Sequence, residues 1–149
     1  MKFTVSESID ASAEKVWSFI SDIENCAGFI SGIEKVEVIE KPDTGLLGFK
    51  WKETRTLFGK TAEETMWITD VQDGQSYQAR AENHGAIYIS KLSVQESDGQ
   101  SILTMHFDGT PVSFGAKIMS ALMGWMFKGA TAKAMRQDLI DIKKVAEEG

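Results

Sequence analysis

The sequence predicts an α+β domain, in which a curved antiparallel sheet of about seven strands is covered by one long C-terminal helix. Three observations carry this. Period-2 stretches separated by Gly- and Asp-rich turns fill the middle of the chain. Two short helical stretches follow the first strand, and everything after Ser113 has helical spacing. Strands joined by tight turns are antiparallel neighbours, and helices kept apart from such a sheet must cover a face of it.

The elements follow in order. Val5, Glu7 and Ile9 alternate with Thr4, Ser6 and Ser8 as a first strand. Ser12 offers an N-cap with Glu14 in the first turn, ahead of Val16, Phe19 and Ile20 at helical spacing. A second short helix runs from Asp22 to about Phe29. Val36 and Val38 open a second strand, which ends at the turn cluster Lys41 to Gly45. Residues 48–71 read as two strands about a Gly59-Lys60 turn. Asp73-Gly74 leads to a strand from Ser76 to Glu82, and Asn83-His84-Gly85 turns into the last hairpin. That hairpin pairs Ala86 to Gln95 with Ser101 to Phe107 about Asp98-Gly99, a two-residue signal of high specificity. Pro111 ends the sheet, and the final helix is expected from about Phe114 to Ala146.

Composition restricts the function classes. The 149 residues suit a single domain, 1–149, and no repeat or linker divides them. A hydrophobic share of 42% with 26% charged residues reads as globular. A net charge of −6 argues against nucleic acid as a partner. The opening MKFTVSESID has no apolar run of the kind that directs secretion. The most apolar stretch, Ile118 to Phe127, is bounded by Lys117 and Lys128, well short of the ~20 residues needed to span a bilayer. A cytoplasmic protein without stable membrane insertion is the expectation. One cysteine and two separated histidines do not form a metal shell, so neither a metal nor another cofactor is expected.

Hairpin parity sorts the faces. With Phe58 and Thr61 flanking the Gly59-Lys60 turn, Trp51 faces Ile68, Glu53 faces Met66, Arg55 faces Glu64 and Leu57 faces Ala62. Lys50, Lys52, Thr54 and Thr56 occupy the other, more polar face, so the first face is the concave one. About Asp98-Gly99 the same arithmetic sets Val94 against Leu103, Leu92 against Met105 and Ser90 against Phe107. Phe49, Tyr88, Tyr77, Ala79 and Ala81 join this inner surface. The stripe Ile118, Leu122, Trp125, Gly129, Ala132, Leu139 and Ile140 of the last helix is expected to cover it. The first half of that helix is apolar all round, and Gly115, Gly124 and Gly129 each weaken it by about 1 kcal/mol relative to Ala. Its methionines suit an adaptable cavity wall, a dimer face or contact with a membrane surface, and the chain's net negative charge weighs against anionic lipids.

On these residues the chain resembles the SRPBCC, or START-like, superfamily with its helix-grip fold, in the style of its polyketide cyclase/dehydrase and lipid-transport group. The carriers are IDASAEKVWSFISDIENCAGFISGIEKVEVIE, ETRTLFGKTAEETMWITDV and the closing MRQDLIDIKKVAEE. Ser12 stands where the family usually has Pro, which leaves the helix start intact. The resemblance implies a deep cavity between sheet and last helix for a hydrophobic small molecule or lipid.

The candidate ligand-binding residues are Trp51, Glu53, Arg55, Glu64, Met66, Tyr77, Tyr88, Phe107, Leu122 and Trp125. Glu53, Arg55 and Glu64 either orient a ligand carboxylate, carbonyl or hydroxyl or satisfy one another as a Glu-Arg-Glu cluster. The aromatic residues either line a pocket or pack as core. No residue is assigned as catalytic: His106 falls on the outer face, His84 in a turn, and Cys26 reads as a buried small side chain. The primary expectation is carriage or sequestration of a hydrophobic molecule. The alternatives are an enzyme of the cyclase or dehydratase type, which needs an acid/base pair within reach of substrate, and a protein-interaction module, which predicts an exposed apolar patch.

Overall fold

The computed structural model describes residues 1–57 and 59–148, with the side chain of Leu57 outside the described set. Seven strands form one antiparallel sheet: β1 (Lys2–Ile9), β2 (Ile33–Glu40), β3 (Lys50–Leu57), β4 (Lys60–Gln72), β5 (Ser76–Asn83), β6 (Ala86–Ser97) and β7 (Gln100–Pro111). Their order across the sheet is β1-β7-β6-β5-β4-β3-β2. Helix α1 (Ala13–Ile20) and a 3-10 segment (Ile23–Gly28) lie between β1 and β2, and helix α2 (Phe114–Glu148) closes the chain. The expected architecture is the observed one, with α2 extending two residues beyond Ala146.

Local chemistry explains the boundaries. The Ser12 side chain accepts from the Lys15 amide and starts α1, with Glu14 in the first turn. His84 and Gly85, and likewise Asp98 and Gly99, have positive φ as consecutive pairs. Both pairs sit between directly paired residues, Asn83 with Ala86 and Ser97 with Gln100. Two consecutive left-handed residues are what a two-residue hairpin of right-twisted strands requires.

The β6–β7 register is as expected, with Val94 opposite Leu103 and Leu92 opposite Met105. The β3–β4 register differs from expectation by two residues. Trp51 pairs with Met66, Glu53 with Glu64, Arg55 with Ala62 and Leu57 with Lys60. The turn therefore falls one residue earlier, with Gly59, at φ +73°, as its second position. The expected flanking role of Phe58 falls outside the described residues. A shift of two preserves side-chain parity, so the inward face is unchanged while every partner on it changes.

The core lies between the concave face and the C-terminal half of α2. Val16, Leu103, Leu139 and Ala146 are fully enclosed, with Ile9, Ile68 and Ile142 beside them. The first buried residue of α2 is Asp138. From Phe114 to Gln137 the helix roofs the sheet without burying a side chain, and a cavity separates the two layers.

Candidate functional site

The cavity occupies about 860 Å³ between the sheet and α2. Its walls are mostly apolar, and a group of ionisable residues occupies one end. Trp51, Met66, Tyr77, Tyr88 and Phe107 all line it, as the sequence predicts. Tyr88 and Phe107 lie with ring centroids 5.9 Å apart, and Phe3 stacks on Phe107 at 5.0 Å. Trp17 of α1 packs edge-on against Tyr77 and holds it from behind. Trp51 is almost wholly buried, and its indole N–H has no hydrogen-bond partner among the described residues. An unpaired buried donor is costly, and here it belongs to a residue of the cavity wall.

Leu122 and Trp125 are placed differently from expectation. They are 70% and 77% exposed and form no part of the cavity wall. Ile118, from the same expected stripe, is also exposed, whereas Leu139 is buried as expected. The surface that α2 turns to the cavity carries Ala116, Ser120, Gly124, Thr131 and Ala134, with Met119 and Phe127. A helix apolar on all sides has no preferred side for its large residues. Small residues facing the sheet leave the space that large ones would fill.

At the polar end Arg55 is held on two sides. Its Nε donates to Glu53 Oε2 at 3.0 Å, and Nη1 and Nη2 donate to the two Asp138 oxygens at 3.1 and 2.7 Å. This is a bidentate fork with a second carboxylate at the side. Asp138 is the residue that sequence reasoning missed, although two aspartates three positions apart, Asp138 and Asp141, interleaved with Leu139, Ile140 and Ile142, were a signal for it. Asp141 accepts from the Ser31 amide and hydroxyl at 2.9 and 2.7 Å and fixes α2 to the loop before β2. Gly32 completes that loop: a Cβ there would stand 3.2 Å from Arg55 Nη1.

The expected Glu-Arg-Glu cluster is thus a Glu53-Arg55-Asp138 triad, with Glu64 outside it. Glu64 lies directly opposite Glu53 on β4 and makes no ion pair among the described residues. Burial raises its pKa, the Glu53 charge raises it further, and Arg55 offsets only part of this. Burial likewise raises the Asp138 carboxyl against the pull of the Arg55 fork. Burial opposes the charge on Arg55, but Glu53 and Asp138 outweigh it and raise its pKa. Burial, then the Glu64 charge, raises the Tyr88 hydroxyl.

Cys26 also lines the cavity, but burial together with Glu53 and Asp138 pushes its thiol up to about 12. A thiol so far from ionising is no nucleophile. His106 lies on the outer face, hydrogen-bonded to Thr4. His84 stands at the cavity rim, which sequence position alone did not indicate. Exposed lining residues mark the mouth: Thr61 to Glu63 on β4, His84, and Gly115 and Met119 of α2. Among the described residues no group of three His, Cys, Asp or Glu side chains is arranged to hold a metal, and no helix is long and apolar enough to cross a membrane.

A sheet gripping a long helix over an apolar cavity defines a START-like ligand-binding architecture. The profile of the polyketide cyclase / dehydrase and lipid transport family matches residues 1–147, and the chain belongs to that family. No curated protein matches the sequence significantly. Among solved structures, TTHA0849 from Thermus thermophilus superposes with a TM-score of 0.82 at 11% identity, covering 98% of this chain and 97% of that one. The Zhui aromatase/cyclase from Streptomyces sp. R1128 gives 0.76 at 16% identity over 99% and 93% of the two chains. A START superfamily protein from Mycobacterium smegmatis gives 0.67 at 13% identity over 95% and 98%. At these identities the likeness is one of fold.

Proposed function

We propose that this protein binds a hydrophobic small molecule in the cavity between sheet and α2, to carry or sequester it. The observation that carries the reading is an apolar space of about 860 Å³ with a few ionisable groups gathered at one end. Sites for small organic ligands have this size and this distribution of polarity. Trp51, Met66, Tyr77, Tyr88 and Phe107 supply apolar contact, and the Glu64 carboxyl and the Tyr88 hydroxyl are groups left to meet a polar atom of the ligand. Arg55 is committed to Glu53 and Asp138, and these two carboxylates outnumber its single charge. The preferred ligand is accordingly neutral or cationic, and a carboxylate is disfavoured.

Native mass spectrometry of protein purified from its own source tests this, with a co-purifying lipid-like mass as the expected result. Titration with fatty amines, sterols and aromatic polyketides should quench Trp51 and raise the melting temperature. Fatty acids alone giving that response would overturn the charge preference. No response to any of them, together with no co-purifying mass, would overturn binding itself.

One observation supports a second reading as a cyclase or dehydratase. Burial and the Glu53 charge raise the pKa of Glu64 inside an apolar cavity beside Tyr88, and a carboxyl shifted in that direction is better suited to act as a general acid. In that reading Glu64→Gln abolishes turnover of a poly-carbonyl substrate and preserves its binding. In the carrier reading no turnover exists to lose.

A further inference from the structure

The outward surface of α2 has its own pattern. Phe114, Ile118, Leu122 and Trp125 recur at intervals of four, four and three residues, which places them on one stripe. Phe114 is 81% exposed, and the other three are exposed as well. Lys117 and Lys128, eleven residues apart, flank the stripe on one side. Lys133 flanks the other, and Arg136 continues the stripe toward the C-terminus. None of the four is in an ion pair among the described residues. No acidic residue lies between Asp108 and Asp138. A chain of net charge −6 thus concentrates four cations around its largest exposed apolar residues.

We infer that this face of α2 docks on the surface of an anionic lipid bilayer. Phe114, Ile118, Leu122 and Trp125 enter the boundary between headgroups and acyl chains, and Lys117, Lys128, Lys133 and Arg136 meet the phosphates. Amphipathic helices that lie in a membrane interface combine large apolar residues with flanking cations in this way. A second copy of the chain is a poorer occupant, since a self-complementary contact would bring eight cations together with no anion between them. The acidic remainder of the chain is repelled by the same lipids, which restricts docking to this face. Gly115 and Met119, on the same turns of α2, border the cavity mouth, so docking sets the mouth at the lipid. The inference goes beyond ligand binding and does not depend on which ligand is bound.

Flotation of the full chain with vesicles tests it, using phosphatidylcholine alone or with about one third phosphatidylserine. Binding to the anionic vesicles should be at least about tenfold tighter, given the contribution of each cation near such a surface, and should weaken as salt is raised. The emission of Trp125 should shift to the blue on binding, and Trp125→Phe should remove that component while still floating. Leu122→Asp combined with Trp125→Asp should abolish flotation with the melting temperature unchanged, because both side chains are already exposed. Equal binding to neutral vesicles, no binding to either, or flotation of the double variant would overturn the inference. A dimer in sedimentation that the double variant dissociates, without flotation of the wild type, would also overturn it and assign the face to a second copy. Ligand titration of the double variant without vesicles reads the cavity separately, so failure of docking and failure of ligand binding are distinguishable.

Discussion

Arg55 and Asp138 share a two-pronged hydrogen bond, 3.1 and 2.7 Å long, that fastens strand β3 to the last helix at the end of the cavity. Both side chains are largely withdrawn from water, with exposures of 14% and 7%. Eighty-three residues of sequence separate them, so the bond closes the grip of the sheet on α2.

The first prediction concerns that bond. Asp138→Ala leaves the guanidinium with Glu53 alone and should cost about 3–5 kcal/mol, the range for breaking a buried pair from one side. Replacing both residues, as Arg55→Met with Asp138→Leu, should cost less than the sum of the single changes. The loss of their shared bond is counted in each single change and only once in the double, while Glu53 loses its partner in Arg55→Met and in the double alike. Urea unfolding of wild type, Arg55→Met, Asp138→Leu and the double variant measures the coupling. Strictly additive costs would mean that the two side chains act independently.

Glu64 supplies the second prediction. Its folded pKa is raised by burial and by Glu53. A carboxyl raised on folding gives stability that is present below its unfolded pKa, about 4.3, and is lost as pH rises through the folded value. Glu64→Gln removes that loss. The variant should be more stable than wild type at neutral pH, with the gain disappearing near pH 4. Asp141 has the opposite sense. Burial works to raise it, but its bonds from Ser31 and Gln137 hold it below the ordinary aspartate value. Its contribution is present above an unfolded pKa of about 3.9 and is lost as pH falls through the lowered folded value. Unfolding free energies at several pH values separate the two. A gain for Glu64→Gln that does not vary with pH would show that electrostatics is not its source.

The third prediction uses two glycines in one segment. A Cβ on Gly32 would come within 3.2 Å of Arg55 Nη1 and 3.7 Å of Asp138 Oδ1, whereas a Cβ on Gly28 meets nothing within 4 Å. Arg55 is held by two carboxylates and has little freedom to move aside. Gly32→Val should therefore destabilise by about 1–3 kcal/mol, and Gly28→Ala should stay within about 0.5 kcal/mol of wild type. Thermal melts of the two variants make the comparison, and similar melting temperatures would contradict it.

The sequence carried the order of elements and the inward parity of both hairpins, because period-2 alternation and two-residue turns are local signals. It was less informative where the determinant was not local. Placing the turn at Gly59-Lys60 put Glu53 opposite Met66, and the structure puts it opposite Glu64. Gly occupies the second position at His84-Gly85 and Asp98-Gly99, and that regularity would have set the register. Leu122 and Trp125 were assigned inward on the rule that large apolar residues seek the core. That rule fails on a helix whose inner side faces a cavity. Asp138 was hidden for a related reason: its place beside Leu139 hinted at burial, but the cation that makes burial possible, Arg55, lies 83 residues away.

The last prediction separates an open cavity from a filled core. Ala134 lines the space from α2, and Gly124 lines it one region earlier, where an added Cβ meets only Ser120 Oγ at 3.4 Å. If the volume were filled by side chains, Ala134→Phe would overpack it and cost about 1–3 kcal/mol. In an open apolar cavity the new ring instead removes its own surface from water, worth about 1.5–3 kcal/mol when burial is complete. The expected result is thus an unchanged or raised melting temperature with a loss of ligand binding, since the ring occupies the ligand's space. Gly124→Ala, which adds one methyl group, should bind almost as wild type does. Quenching of Trp51 reports occupancy, and a Trp125→Phe background removes that exposed indole from the signal. A destabilised Ala134→Phe that still bound ligand at wild-type affinity would place the ligand elsewhere and overturn the assignment of the site.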